Sequence, residues 1–265
     1  MVMTSNTGPM PTLFVGHGNP MHAIGSGEWS RAFSALSGTL PMPRAILSIS
    51  AHWYVDGTFT TGNDAPRTIH DFSGFPKALN DVTYPAPGAP DLAARVANLL
   101  GPGRATVRHD WGLDHGTWSV LLKAYPLAQV PVVQLSIDRR LPLREHAELA
   151  RHLAPLRDDG ILIFGSGNVT HNLGDAFSRM RTGNTETPGW AGRFDDGVKL
   201  ATHSYDMDAL LSLVEGPDGT MAHPTPDHFI PLLYCMGAAR PSDPVSTPIC
   251  GWDMGSISMR AVRFG

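Results

Sequence analysis

Short apolar runs bounded by glycine or proline recur along the chain: Thr12–Val15, Ala45–Ser50, Val130–Ile137 and Ile161–Phe164. Their length and β-branched content predict strands buried on both faces, as in a mostly parallel sheet. Between them the period changes. "PDLAARVANLLG" puts Leu92, Val96, Leu99 and Leu100 on one face and stops at Gly101. "LREHAELARHLAPL" does likewise with Leu143, Ala147, Ala150 and Leu153. Strands alternating with helices predict an α/β fold, a central mostly parallel or mixed sheet covered by helices. The tail "SISMRAVRF" alternates apolar and polar residues, which predicts a half-exposed edge strand. No repeat or linker interrupts the pattern, so a single domain over residues 1–265 is expected.

Composition mainly excludes. Charged residues are 17% of the chain and the net charge is −4, which gives no electrostatic reason to expect nucleic acid or an acidic membrane as partner. No apolar stretch reaches transmembrane length, and "MVMTSNTGPM" lacks the order of a signal peptide. The two cysteines, Cys235 and Cys250, could make one disulfide, but so sparse a set fits a reducing compartment at least as well. A cytoplasmic protein is expected. Oligomeric state is not legible.

Twelve histidines change the picture, through their placement. The first apolar run leads into Gly16-His17-Gly18, the second into Ala51-His52-Trp53, and the Ile161–Phe164 run into "GSGNVTHN" with His171. Ligands of open α/β sheets bind at the carboxyl ends of strands, so these loops are expected to converge. "DWGLDHGTW" places His115 just before a helix, and "HPTPDHFIPLL" supplies His223 and His228. Singly, each of these is more simply a hydrogen-bonded loop residue. Together on one glycine-rich rim they point to a divalent transition metal, since neutral imidazoles suit Zn, Fe, Cu or Ni. A histidine outside the ligand set can serve as general base. His146, His152 and His203 are expected on the solvated surface, and His22 and His109 in structural roles. Other chemistries lack their signatures. "GSGNVT" has Thr170 where a dinucleotide loop needs its third glycine, and neither a P-loop nor a G-x-S-x-G elbow occurs.

Eight blocks occur in order between Pro11 and Tyr234: "LFVGHGNPM", "SISAHW", "TIHDFSGFP", "YPAPGAPDLA", "GLDHGTWSVL", "VPVVQLSID", "GSGNVTHNL" and "HPTPDHFIPLLY". In that order and spacing they resemble the DOPA 4,5-dioxygenase branch of the class III extradiol ring-cleavage dioxygenases. The resemblance implies a single-domain α/β enzyme that opens a catechol-type ring (L-DOPA or a related catechol) with O2 at a mononuclear non-haem metal. It implies Fe(II) as catalytic metal, with Zn(II) able to occupy the same site in purified protein. By the same resemblance His17, His52 and His228 match metal ligands, His171 the acid–base residue, and His115 a contact to substrate hydroxyl or oxygen. His70 and Asp71 match a loop lining the pocket. Trp53 and Phe72 are either further walls of that pocket or packing residues of the core rim.

Many ring-cleaving relatives carry two histidines and a glutamate. Here the third position is His228, with Asp227 as the alternative donor. A site of three histidines is also how a hydrolytic zinc is held. A zinc hydrolase and a non-catalytic metal-binding relative therefore stand as alternatives. Neither the particular catechol, the bond cleaved nor the role of His223 follows from the sequence.

Overall fold

The computed structural model describes residues 8–265; residues 1–7, part of the stretch read above for a targeting signal, lie outside the described residues. Ten strands are formed among the described residues: β1 (Thr12–Gly16), β2 (Ala45–Val55), β3 (Phe59–Thr61), β4 (Thr106–Arg108), β5 (Val132–Asp138), β6 (Ile161–Gly167), β7 (Val245–Ile249), β8 (Trp252–Asp253), β9 (Ile257–Ser258) and β10 (Ala261–Phe264). Eight of them make one mixed sheet in the order β4-β3-β5-β2-β6-β1-β10-β7. Its centre, β5-β2-β6-β1, is parallel throughout. All four predicted apolar runs lie in that centre. The expected fold class is the observed one.

Alternate residues of the central strands feed two different cores. Ile46, Leu162 and Phe164 pack with Phe33, Trp118 and Leu121 from helices Glu28–Leu36 and His115–Ala124. Leu47, Ile161 and Ile163 pack with Leu92, Val96, Leu149 and Tyr234 from helices Pro90–Leu100, Leu143–Arg151 and Ile230–Ala238. Helices thus cover both faces, which is why these strands read as continuous apolar runs.

Two expectations need correction. The tail is not an edge. β10 lies between β1 and β7, and Ala261, Val262 and Phe264 are fully buried. Its alternation arises because the polar positions are satisfied internally: Arg260 pairs with Asp195 of helix Gly189–His203, and both are buried. The exposed edge is β7 instead. His146 is not a surface residue either. It lies at 0% exposure, with Nδ1 3.2 Å from the Tyr234 hydroxyl. His152 and His203 are exposed as expected.

Candidate metal centre

Because β2, β6 and β1 are parallel neighbours, their carboxyl ends share one sheet edge. Three histidines reach that edge by different devices. His17 follows β1 directly, and its N–H donates to Gly167 O at 2.9 Å. Gly18 then turns the chain away at φ +59°, a backbone region that glycine adopts without strain. His52 is inside β2 rather than after it, a correction to the loop placement read from the sequence. Between Ile49 and Tyr54 the register with β5 slips, so Ser50–Trp53 bulge from the ladder and His52 is re-aimed inward. His228 closes the 3-10 turn Pro226–His228, just before helix Ile230–Ala238, and its carbonyl accepts from Asn168 N at 2.9 Å.

The three imidazoles present one nitrogen each within 4.8 Å of one another. Their outward nitrogens are held by other groups. His17 Nδ1 is 3.0 Å from Ser166 Oγ, which itself donates to Gly116 O at 2.5 Å, so His17 Nδ1–H is the donor in that contact. Asp71 Oδ2 lies 3.1 Å from His52 Nδ1, and Asp227 bonds His228 Nδ1. With the protons on Nδ1, all three Nε2 lone pairs face one another. His17 Nε2 and His52 Nε2 stand 3.1 Å apart, and His228 Nε2 is buried without a partner. Two facing lone pairs repel unless an electron acceptor lies between them. A separation of this size is also what ~2.1 Å metal–nitrogen bonds at roughly right angles produce. The residues fit a divalent transition metal. Asp227 is engaged with His228 Nδ1, as a carboxylate that orients a ligating imidazole would be.

The electrostatics agree for His17 and His228. Burial, and after it the neighbouring imidazoles, pushes His17 and His228 well below the ordinary histidine range. Burial brings His171 down to about 3, against the pull of Asp227. Burial also lowers His115, with His52 adding to the effect and Asp71 opposing it. For His52, burial acts downward but is outweighed by Asp71, Asp114 and Asp227, and the net shift is upward. Burial likewise opposes ionisation of Asp71, yet contacts with His115 and His52 hold its carboxyl well below the usual range. The Asp71 carboxylate therefore stands ready to fix protons on Nδ1 of its histidine neighbours.

A cavity of about 270 Å³ opens onto these nitrogens. His115 and His171 line it beside the three histidines. His115 begins helix His115–Ala124, capped by Asp114, which accepts from Thr117 N at 3.1 Å; Asp114 is thus a cap and not an acid–base partner. His115 Nδ1 lies 3.0 Å from Asp71 Oδ2, and its backbone N–H donates to Asp71 Oδ1 at 2.9 Å. His171 stacks on His228. Phe72 is in the wall, whereas Asp71 acts behind it through His52 and His115. His70 and Trp53 are outside the wall. His70 Nε2 is bonded to Val82 O at 3.0 Å, and Trp53 stacks on Trp111 with 5.4 Å between centroids. His223 donates through Nε2 to Val169 O at 2.7 Å, a structural bond. Sequence reading missed Phe75, Leu173, Phe177, Asp253, Met254 and Ile257 of the wall. Phe75 and Leu173 stand within the quoted blocks, and Phe177 lies one turn beyond Leu173 on helix Leu173–Thr182, but an apolar residue there reads as packing. Asp253, Met254 and Ile257 carry no local signal, because a ribbon remote from the histidine motifs brings them in.

Residues 21–250 match the family described as the catalytic LigB subunit of aromatic ring-opening dioxygenase. The chain belongs to that family. The match starts just after His17, but longer alignments include it. The chain is 44% identical to a 4,5-DOPA dioxygenase extradiol of Escherichia coli K12, over 97% of this chain and 95% of that one. It is 38% identical to a protein of the same name from Beta vulgaris, over 96% of each. A crystal structure of an uncharacterized Escherichia coli K12 protein superposes with a TM-score of 0.81 at 39% identity, covering 97% of this chain and all of that one. The activity is accordingly that of an extradiol ring-opening dioxygenase, as the sequence motifs imply, and it uses a small aromatic substrate and O2. No helix among the described residues is long and apolar enough to cross a membrane.

Proposed function

We propose that this chain opens the ring of a catechol, L-DOPA or a close relative, beside its two hydroxyls. The observation that carries the reading is the convergence of three Nε2 lone pairs at a small, aromatic-walled cavity that also holds His115 and His171. His17, His52 and His228 are the proposed ligands. Iron(II) is the proposed ion, because ring opening by O2 is redox chemistry and zinc has no redox role. Bound iron would supply Lewis acidity toward the catechol oxygens and a path by which electrons of the catechol reach O2.

The chain's own groups do the rest. Phe72, Phe75 and Phe177 offer apolar walls for a flat ring. His171, neutral at working pH, accepts the proton that a catechol hydroxyl loses on binding. Asp227 favours the imidazolium so formed, and His171 then returns that proton as the ring opens. With Nδ1 turned to Asp71, His115 presents Nε2 to the cavity, where it can hydrogen-bond a substrate oxygen. Both atoms of O2 enter the product, a muconic semialdehyde-type compound. We place the enzyme in the cytoplasm, in keeping with two free cysteines among the described residues.

Purified protein loaded anaerobically with Fe(II) tests this directly. One O2 consumed per catechol, with a yellow ring-opened product, is expected. No uptake with any catechol, at one bound iron per chain, overturns the reading and returns the zinc hydrolase and the binding module.

A further inference from the structure

The wall of the cavity is unequal in charge. Apart from its histidines it is apolar on most sides. Among the described residues Asp253 is its one carboxylate, and no lysine or arginine contributes to it. Asp253 ends β8, which pairs with β9 in a two-stranded ribbon, Asp253 opposite Ile257. Both residues face the cavity, so the ribbon forms one wall as a unit. The carboxylate is firmly placed. Its Oδ2 accepts from His22 Nε2 at 2.7 Å, and its side chain is 17% exposed. A Cβ added to Gly18 would stand 3.4 Å from that oxygen, so the carboxylate lies against the backbone next to His17. Among the described residues, no lysine or arginine of this wall awaits an anion. Lys77 is turned to Asp81 at 2.6 Å and Arg67 to Asp110 O at 3.4 Å, both outside the wall. Asn19, the remaining polar residue there, has committed its Oδ1 to Met21 N and offers only a neutral amide.

We propose that Asp253 is a specificity residue, selecting catechols whose ring substituent ends in an ammonium group, and that a substituent carboxylate gains no ionic contact. The inference rests on the catechol-cleaving reading and names its substrate class. A charge-assisted bond from an ammonium to a mostly buried carboxylate is stronger than one between neutral groups. The aromatic walls tolerate a cation over their faces and repel an anion. A substituent carboxylate would meet Asp253 as a like charge.

Three probes sharing one ring decide it: dopamine, 4-methylcatechol and 3,4-dihydroxyhydrocinnamate, each followed by O2 uptake on the iron-loaded enzyme. In the wild type, kcat/KM for dopamine should exceed that for the acid by about tenfold or more. Asp253→Asn should lower the ratio of dopamine to 4-methylcatechol about tenfold, mainly through KM, and Asp253→Glu should restore it. Anaerobic titration of each probe gives the same ranking as dissociation constants. Equal values for dopamine and 4-methylcatechol in the wild type, or a ratio untouched by Asp253→Asn, overturn this proposal and leave ring cleavage standing. Failure of all three probes and of L-DOPA overturns the catechol reading itself.

Discussion

The imidazole rings of His171 and His228 lie parallel, with centroids 3.4 Å apart and 8° between their planes. Nitrogen lone pairs point in the plane of an imidazole, so two rings stacked this way do not aim at one ion between them. His171 is accordingly absent from the group of nitrogens that converge with His228. Position without ligation is what a proton carrier needs. His171→Ala is expected to keep its iron and lose about 10²–10⁴-fold in kcat, the usual size of an acid–base contribution. Iron per chain and turnover, measured on one preparation, check this. Loss of the metal with the activity would make His171 a ligand instead.

The 3.1 Å approach of His17 Nε2 to His52 Nε2 leads to a second expectation. His17→Ala, His52→Ala or His228→Ala should each leave far less than one metal per chain by elemental analysis. Asp71 and Asp227 sit behind the ligands. Asp71→Asn and Asp227→Asn should therefore bind metal, but about 10–100-fold more weakly, the usual cost of removing a partner that orients a ligating histidine. Undiminished affinity in both would show that the Nδ1 partners do not orient the set. Metal should in turn stabilise the folded chain by about 2.7 kcal/mol at a hundred times its dissociation constant, seen as a rise in Tm over chelator-treated protein.

The sheet was legible because its central strands are covered on both sides, which writes an unbroken apolar run into each. The site was legible in part, since His17, His115, His171 and His228 stand in glycine- or proline-marked turns where sequence shows the punctuation. The rest depended on tertiary facts. His52 was nominated from the sequence but as a loop residue; it reaches the site through a bulge within β2, and a bulge leaves no mark in a single strand's pattern. Trp53, its neighbour, consequently faces Trp111 rather than substrate. His146 did carry a signal: it shares a helical stripe with Leu143, Ala147, Ala150 and Leu153. Its polarity obscured that spacing.

Close packing beneath the site makes Gly167 a test of its rigidity. A Cβ there would overlap the carbonyl oxygen of His228 and stand 3.3 Å from Pro231 Cγ, so the backbone carrying His228 would have to move. Gly167→Ala should destabilise the protein by about 1–3 kcal/mol, as overpacking does, and weaken metal binding beyond what the lost stability explains. Urea unfolding and a metal titration separate the two effects. Wild-type values in both would mean that the turn at His228 yields without cost.

His146 predicts how stability depends on pH. Its folded-state pKa is pushed down to about 4 by burial, with Asp138 opposing. In the unfolded chain it returns to ~6.5. Between those values the unfolded state binds a proton that the folded state refuses, so stability rises with pH across that window and falls on acidification. At about pH 5 this one residue should account for a loss of about 2 kcal/mol relative to about pH 7.5. His146→Phe keeps an apolar ring against Tyr234 and removes the titration. Compared by urea unfolding of chelator-treated protein, the variant should lose about 2 kcal/mol less than wild type over that pH drop. His171 and His223 contribute equally to both proteins and cancel. Parallel losses in the two would mean that His146 takes up its proton in the folded protein as readily as in the unfolded chain.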